Sequence, residues 1–154
     1  MKPLSLAIPV LLASLGAHAD DAAVARKMDD NKFVALPGFP ACVTQAVQSG
    51  DPGKGASVIL FKGTKNCTIP WHWHTPNEQV MLVSGTARAE MKGGANTVIG
   101  PGGFAYMPSK HVHQFSCVKA CVGFVSGDGA FDMHYVDANG TEIPPDRALA
   151  PKAK

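Results

Sequence analysis

The sequence predicts an all-β domain, a sandwich or a barrel, on three observations. Short apolar or alternating runs follow one another at roughly 8–12-residue spacing. The 16 glycines and 12 prolines fall between those runs, where turns need them. No segment sustains a helical period over the length of a domain helix. Hydrophobic residues make up 45% of the chain, enough for a core, so the Gly and Pro content signals turn density and not disorder.

The elements follow in order. Residues 20–39 form a polar lead-in, with Ala22 to Met28 read as a short helix and Pro37-Gly38 as a turn. Cys42 to Gln48 alternates and reads as a strand, and Asp51-Pro52-Gly53-Lys54-Gly55 as a loop. Ser57 to Phe61 is a β-branched apolar run and so a strand; Lys62 to Asn66 turns into a strand over Cys67 to His74. Gln79 to Val83 is expected to end in a turn at Gly85, with a new strand over Thr86 to Met91. Lys92 to Asn96 is a hairpin loop answered by Thr97 to Ile99. After the break at Gly100-Pro101-Gly102-Gly103, strands are expected at Phe104 to Met107, His113 to Val118, Cys121 to Ser126 and Met133 to Val136. That is about ten strands over residues 40–136, one domain without internal repeats. Residues 137–154 form a tail, Pro-, Ala- and Lys-rich from Pro144 and expected to be loosely held.

The N-terminus reads differently. Lys2, the apolar run from Leu4 to Leu15 and Ala17-His18-Ala19 form a secretory signal peptide, residues 1–19, cut after Ala19. The apolar run falls short of the about 20 residues that span a membrane. The expected location is periplasmic or secreted. Without its leader the chain carries 13 basic against 12 acidic residues. Such a balance offers no basic face, so neither nucleic acid nor an anionic membrane is expected as a partner.

Four cysteines in an exported chain favour disulfides. Cys117 and Cys121 bracket Val118-Lys119-Ala120, read as a hairpin tip, which favours joining them and leaves Cys42 with Cys67. Four cysteines allow three connectivities and the sequence does not choose among them. A Cys/His zinc site is the rival reading, opposed by the lack of a C-x-x-C pair and by the export signal.

The chemistry lies in Trp71-His72-Trp73-His74-Thr75-Pro76-Asn77-Glu78. On a strand, His72 and His74 share one face and Trp71 and Trp73 the other. Thr75-Pro76-Asn77 is a turn signal that brings Glu78 back beside the imidazoles. Two neutral nitrogens and a carboxylate converging from a hairpin suit a divalent metal. A second His-x-His, His111-Val112-His113, follows Pro108.

These segments resemble the motifs of the cupin family. The first family motif runs Gly, five residues, His-x-His, three or four residues, Glu, six residues, Gly. Here stand His72, His74, Glu78 and Gly85 at those spacings, with Asn66 in place of the leading glycine. The second runs Gly, five residues, Pro-x-Gly, two residues, His, three residues, Asn. Here stand Gly102, Pro108 and His113, with Lys110 and Cys117 at the second glycine and the asparagine. The resemblance implies a single-domain jelly-roll β-barrel of cupin type, and a metal held by His72, His74, Glu78 and His113. One divalent transition metal is expected, among Mn, Fe, Ni, Cu and Zn.

Three imidazoles and one carboxylate leave one or two positions on a five- or six-coordinate ion, which catalysis or ligand capture requires. The resemblance implies dioxygenase- or isomerase-like chemistry on a small oxygenated organic molecule. A non-catalytic module for a metal or a small ligand is the alternative, since no second acid/base pair is visible. A vestigial site is a third reading, opposed by the intact spacing. His111 shares parity with His113 and is either a turn residue or a substrate-orienting one. Tyr106 and the methionines at 81, 91, 107 and 133 are expected to pack in the core. His134 is read as a strand-end surface residue. Trp71 and Trp73, outward-facing, are outer-core residues or a subunit contact; with the family habit of pairing barrels they suggest a homodimer.

Overall fold

The computed structural model describes residues 23–151. The expected signal peptide at 1–19 and its cut lie outside the described residues, as do Asp20 to Ala22 and Lys152 to Lys154. Eight strands follow in order: β1 Val43–Gly50, β2 Ser57–Gly63, β3 Cys67–Trp73, β4 Glu78–Met91, β5 Asn96–Ile99, β6 Phe104–Met107, β7 His113–Gly127 and β8 His134–Tyr135. A 3₁₀ turn at Met28–Asp30 precedes them and a single-turn helix α1, Pro145–Ala148, follows.

Every strand pairing is antiparallel. β7 organises the jelly roll. One edge pairs with β4 over its whole length; the other pairs with β2 along its C-terminal half and with β3 along its N-terminal half. The period-two pattern explains which side faces in. In β4, Glu78, Val80 and Leu82 are buried while Gln79, Met81 and Val83 are exposed. In β6, Ala105 and Met107 are buried between exposed Phe104 and Tyr106. The inner faces meet in one core that includes Val43, Phe61, Val80, Leu82, Ala87, Ala89 and Phe115. Phe61 and Phe115 close it edge to face at 5.8 Å, a favoured aromatic geometry.

Several expectations are corrected. Gly85 does not end a strand. It sits at φ 85° inside β4, where the β4–β7 register steps three times between Leu82 and Ala87. A β-carbon on Gly85 would lie 2.0 Å from the Ala120 carbonyl oxygen, so glycine is required by close approach. Val118 to Ala120 is not a hairpin tip: it bulges within β7, opposite Gly85. Each is a bulge, which a sequence presents with the same residues as a turn. Residues 23–27 are irregular and not helical. Met81 and Tyr106 are not core residues; they lie on the outer face, 39% and 47% exposed.

The disulfides join Cys42 to Cys67 and Cys117 to Cys121. Among the described residues no helix is long and apolar enough to cross a membrane.

Candidate metal centre

Four polar side chains are buried inside the apolar barrel together: His72, His74 and His113, each 2% exposed, and Glu78, 6% exposed. They come from three places. His72 lies on β3 and His74 just past its end; Glu78 opens β4 and His113 opens β7. His72 and His113 are ladder partners on β3 and β7. Glu78 pairs instead with Gly127 and Met107, so its side chain meets the imidazoles across the interior and not along a ladder. One ligand atom from each of the four lies within 4.8 Å of every other.

Backbone carbonyls orient all three rings. His72 Nδ1 donates to Pro70 O at 2.6 Å, His113 Nδ1 to His111 O at 2.9 Å, and His74 Nδ1 to Asp132 O. A neutral imidazole whose Nδ1 carries the proton presents a bare lone pair at Nε2. Among the described residues, His74 Nε2 and His113 Nε2 are buried without a hydrogen-bond partner. Glu78 Oε2 stands 3.1 Å from His113 Nε2 and 3.6 Å from His74 Nε2, out of line for a hydrogen bond to either. Lone pairs facing lone pairs at this range repel unless a cation lies between them. The donor set and its orphaned nitrogens fit one divalent ion.

Electrostatics agree. Burial holds His72 well below the ordinary imidazole value, and neighbouring His113 and His74 lower it further. Burial also lowers His74, against the Glu78 carboxylate, which pulls the other way. Burial disfavours the Glu78 carboxylate, yet His113 and His74, wherever either ring carries a second proton, favour it, and the balance holds the carboxyl below its usual range. Neutral nitrogens and an ionised oxygen are the forms that bind metal.

A loop holds the open end of β3. Asp132 Oδ1 accepts from Thr75 N at 2.7 Å, and Asp128 accepts from the Asn77 backbone and side chain. Phe131 lies against the His74 ring at 4.4 Å. A cavity of about 40 Å³ adjoins the ligands, walled by Phe61, Ile69, Val80, Phe115 and Val125 among others.

The other singled-out residues fall outside this group. His111 serves through its carbonyl, and its ring is not among the gathered ligands. Tyr106 points outward and donates to Asn77 Oδ1 at 3.2 Å. His134 stacks on Trp73 at 3.8 Å, with Nδ1 2.7 Å from Glu142 Oε1. Trp71 and Trp73 are half-buried opposite the ligands. Sequence reasoning missed the Pro70 and Asp132 carbonyls, since any residue carries one, and missed Gln45, which lines the cavity. Alternation along β1 was the available signal for Gln45: it shares a face with Val43.

Fold and site together define a small antiparallel barrel with, among the described residues, one buried group suited to a metal ion. Residues 61–123, which include all four ligand candidates, match the family model described as Cupin domain. This match supports the cupin superfamily, and the barrel has the cupin jelly-roll fold. Solved structures agree in fold. An RmlC-like cupin protein from Ralstonia eutropha JMP134 is 20% identical, aligned over 83% of this chain and 85% of its own, with a TM-score of 0.64. A proposed acetylacetone dioxygenase from Methylibium petroleiphilum PM1 is 17% identical over 84% and 96%, with a TM-score of 0.63. KdgF from Halomonas sp. is 14% identical over 66% and 92%, with a TM-score of 0.56. No curated protein sequence matches the chain.

Proposed function

We propose that His72, His74, Glu78 and His113 hold one divalent transition metal, and that the chain is an exported small metalloenzyme. Its substrate is a small oxygenated organic molecule, and the chemistry is dioxygenase- or isomerase-like. The observation that carries this reading is the pair of buried, unpartnered Nε2 atoms beside the Glu78 carboxylate. A bound ion of this kind supplies Lewis acidity or, if redox-active, an oxygen-activating centre. The chain supplies the rest. Carbonyl tethers fix each ring's tautomer, Glu78 balances half the ion's charge, and the apolar wall excludes bulk water. The similarity in fold to a proposed dioxygenase supports this direction.

A second reading, capture of a metal or small ligand without turnover, is favoured by one observation. Besides the ligand candidates, no ionisable group among the described residues lines the cavity. Elemental analysis of protein purified without added metal separates the outcomes. Iron, copper or manganese favours oxygen chemistry, and zinc or nickel shifts the weight to Lewis-acid or binding roles. His72→Ala and His113→Ala should each sharply reduce metal content while the β circular-dichroism signature persists. Unchanged content in both refutes the ligand assignment.

Export, with a signal peptide at 1–19 ahead of the lead-in, the barrel at 40–136 and the tail, is supported by the two disulfides. A homodimer through the outer sheet face is supported by exposed Met81, Val83, Phe104 and Tyr106 on adjacent β4 and β6. Sedimentation of the purified chain and of Phe104→Lys tests it: a monomeric parent removes the dimer.

A further inference from the structure

Besides the ligand candidates, Gln45 is the one polar side chain among the described residues that lines the metal cavity. It lies on β1 opposite Phe61 and two residues from Val43, both inward-facing core residues, so its side chain shares their face. Its backbone is held on both sides, by the Phe61 ladder and by paired bonds with Val34 at 2.9 and 2.8 Å. Its amide has no hydrogen bond among the described residues, although Gln48 on the same strand has two. Gln45 also lines a surface groove of about 450 Å³ with Leu36, Phe39 and Phe131. It therefore stands between the surface and the buried ligands.

Charge and size limit what it meets. A divalent ion on three neutral imidazoles and one carboxylate leaves a net charge of +1 in an apolar enclosure. Such a charge is best balanced by one monoanion. The cavity of about 40 Å³ would hold the ion as well as its ligand, and a water needs about 10–15 Å³ of such space, so the ligand is no larger than a short carboxylate.

We infer that Gln45 is the positioning residue for a small monoanionic oxygen ligand, of short-carboxylate size, bound at the metal. Its amide N–H donates to the ligand oxygen that the ion does not take. This rests on the metal reading above and adds ligand class and orientation to it.

The test titrates metal-loaded protein calorimetrically with formate, acetate, neutral acetamide and bulky benzoate. Parent protein should bind formate and acetate, acetamide at least tenfold more weakly, and benzoate not at all. Gln45→Leu should weaken acetate on the order of tenfold or more, as loss of a hydrogen bond to a charged group does. Gln45→Asn, which keeps the amide but withdraws it by one methylene, should fall between. Metal content should be equal in all three proteins. Full metal content with acetate affinities within twofold across the variants overturns the inference and leaves the metal reading standing. So does metal-loaded parent that takes up neither anion, or takes acetamide as tightly as acetate. Parent protein that holds no metal overturns both.

Discussion

Lys110 occupies φ 61° and Asn66 φ 64°, the two non-glycine residues with positive φ among the described residues. Both stand where the cupin motifs carry glycine. The chain thus keeps the glycine conformation without the glycine. An L-residue in this region costs about 1–2 kcal/mol, while glycine costs about 0.4–1 kcal/mol through the entropy of the unfolded chain. Glycine at 110 should therefore gain about 0.5–1 kcal/mol in backbone terms. Against this, Lys110 Nζ lies 6.0 Å from the Trp73 ring, an exposed cation–π contact worth about 0.5 kcal/mol. Lys110→Ala separates the two effects, since it removes the cation and keeps the β-carbon. Lys110→Ala should lose about 0.5 kcal/mol, and Lys110→Gly should exceed Lys110→Ala by about 0.5–1 kcal/mol. That gap amounts to roughly 2–4 °C in melting temperature for a chain of this size. The backbone bond from Lys110 N to His74 O, 2.8 Å, survives both changes, so metal content should not move. Urea melts of the disulfide-intact, metal-free proteins measure the gap. Glycine no more stable than alanine at 110 refutes the argument.

Acid should destabilise the metal-free barrel. His72 and His74 are held below the ordinary imidazole value, so the unfolded chain takes up protons that the folded chain refuses. Their contribution is complete above about pH 6.5 and is lost as pH falls toward the folded-state values, by up to about 1.4 kcal/mol per pH unit for each ring. Glu78, also lowered, adds a loss through the carboxylate range. Urea midpoints that stay level from pH 8 to pH 5 contradict this. Asp132→Ala should weaken metal binding about 10- to 100-fold with little change in fold, because the Thr75 anchor of the His74 carbonyl tether is removed; competition with a chelator reads it. Replacing Cys42 and Cys67 by serine, a separation of 25 residues, should cost about 3.5 kcal/mol on chain-entropy grounds. The pair at 117 and 121, a separation of 4, should cost about 2 kcal/mol. The reverse order in denaturant melts would show that native packing, not loop closure, dominates.

The site candidates were legible because metal ligation leaves a local residue signature. His72, His74 and Glu78 crowd into seven residues, and alternation alone puts both imidazoles on one face. His113 needed the second motif, since its ladder pairing with His72 joins residues 41 apart. The strand pattern was legible wherever one face is buried, as along β4 and β6. It failed at Gly85 and at Val118 to Ala120, where two long strands bulge against each other. A bulge is a fact about a partner strand, and no local residue choice distinguishes it from a turn. Tyr106 misled for a related reason. Aromatics favour strands whether they face in or out, and only parity with buried Ala105 and Met107 puts its ring outside.

The chain itself orients the three rings. Each imidazole is tied by Nδ1 to a backbone carbonyl, that of Pro70 inside β3 and those of His111 and Asp132 outside the strands. Those carbonyls are in turn placed by β3, by the Pro108–Lys110 turn and by the 128–134 loop. Losing one imidazole therefore leaves two oriented rings behind, and the barrel core, which includes Phe61 and Phe115, is built of apolar contacts. Metal affinity and global stability should separate under mutation. Changes in the tethers lower affinity first, and changes at Phe61 or Phe115, where truncation costs about 3–5 kcal/mol, lower stability first. A tether variant that unfolds the barrel, with Phe115→Ala leaving it intact, would mean that the ion and not the core holds the strands together.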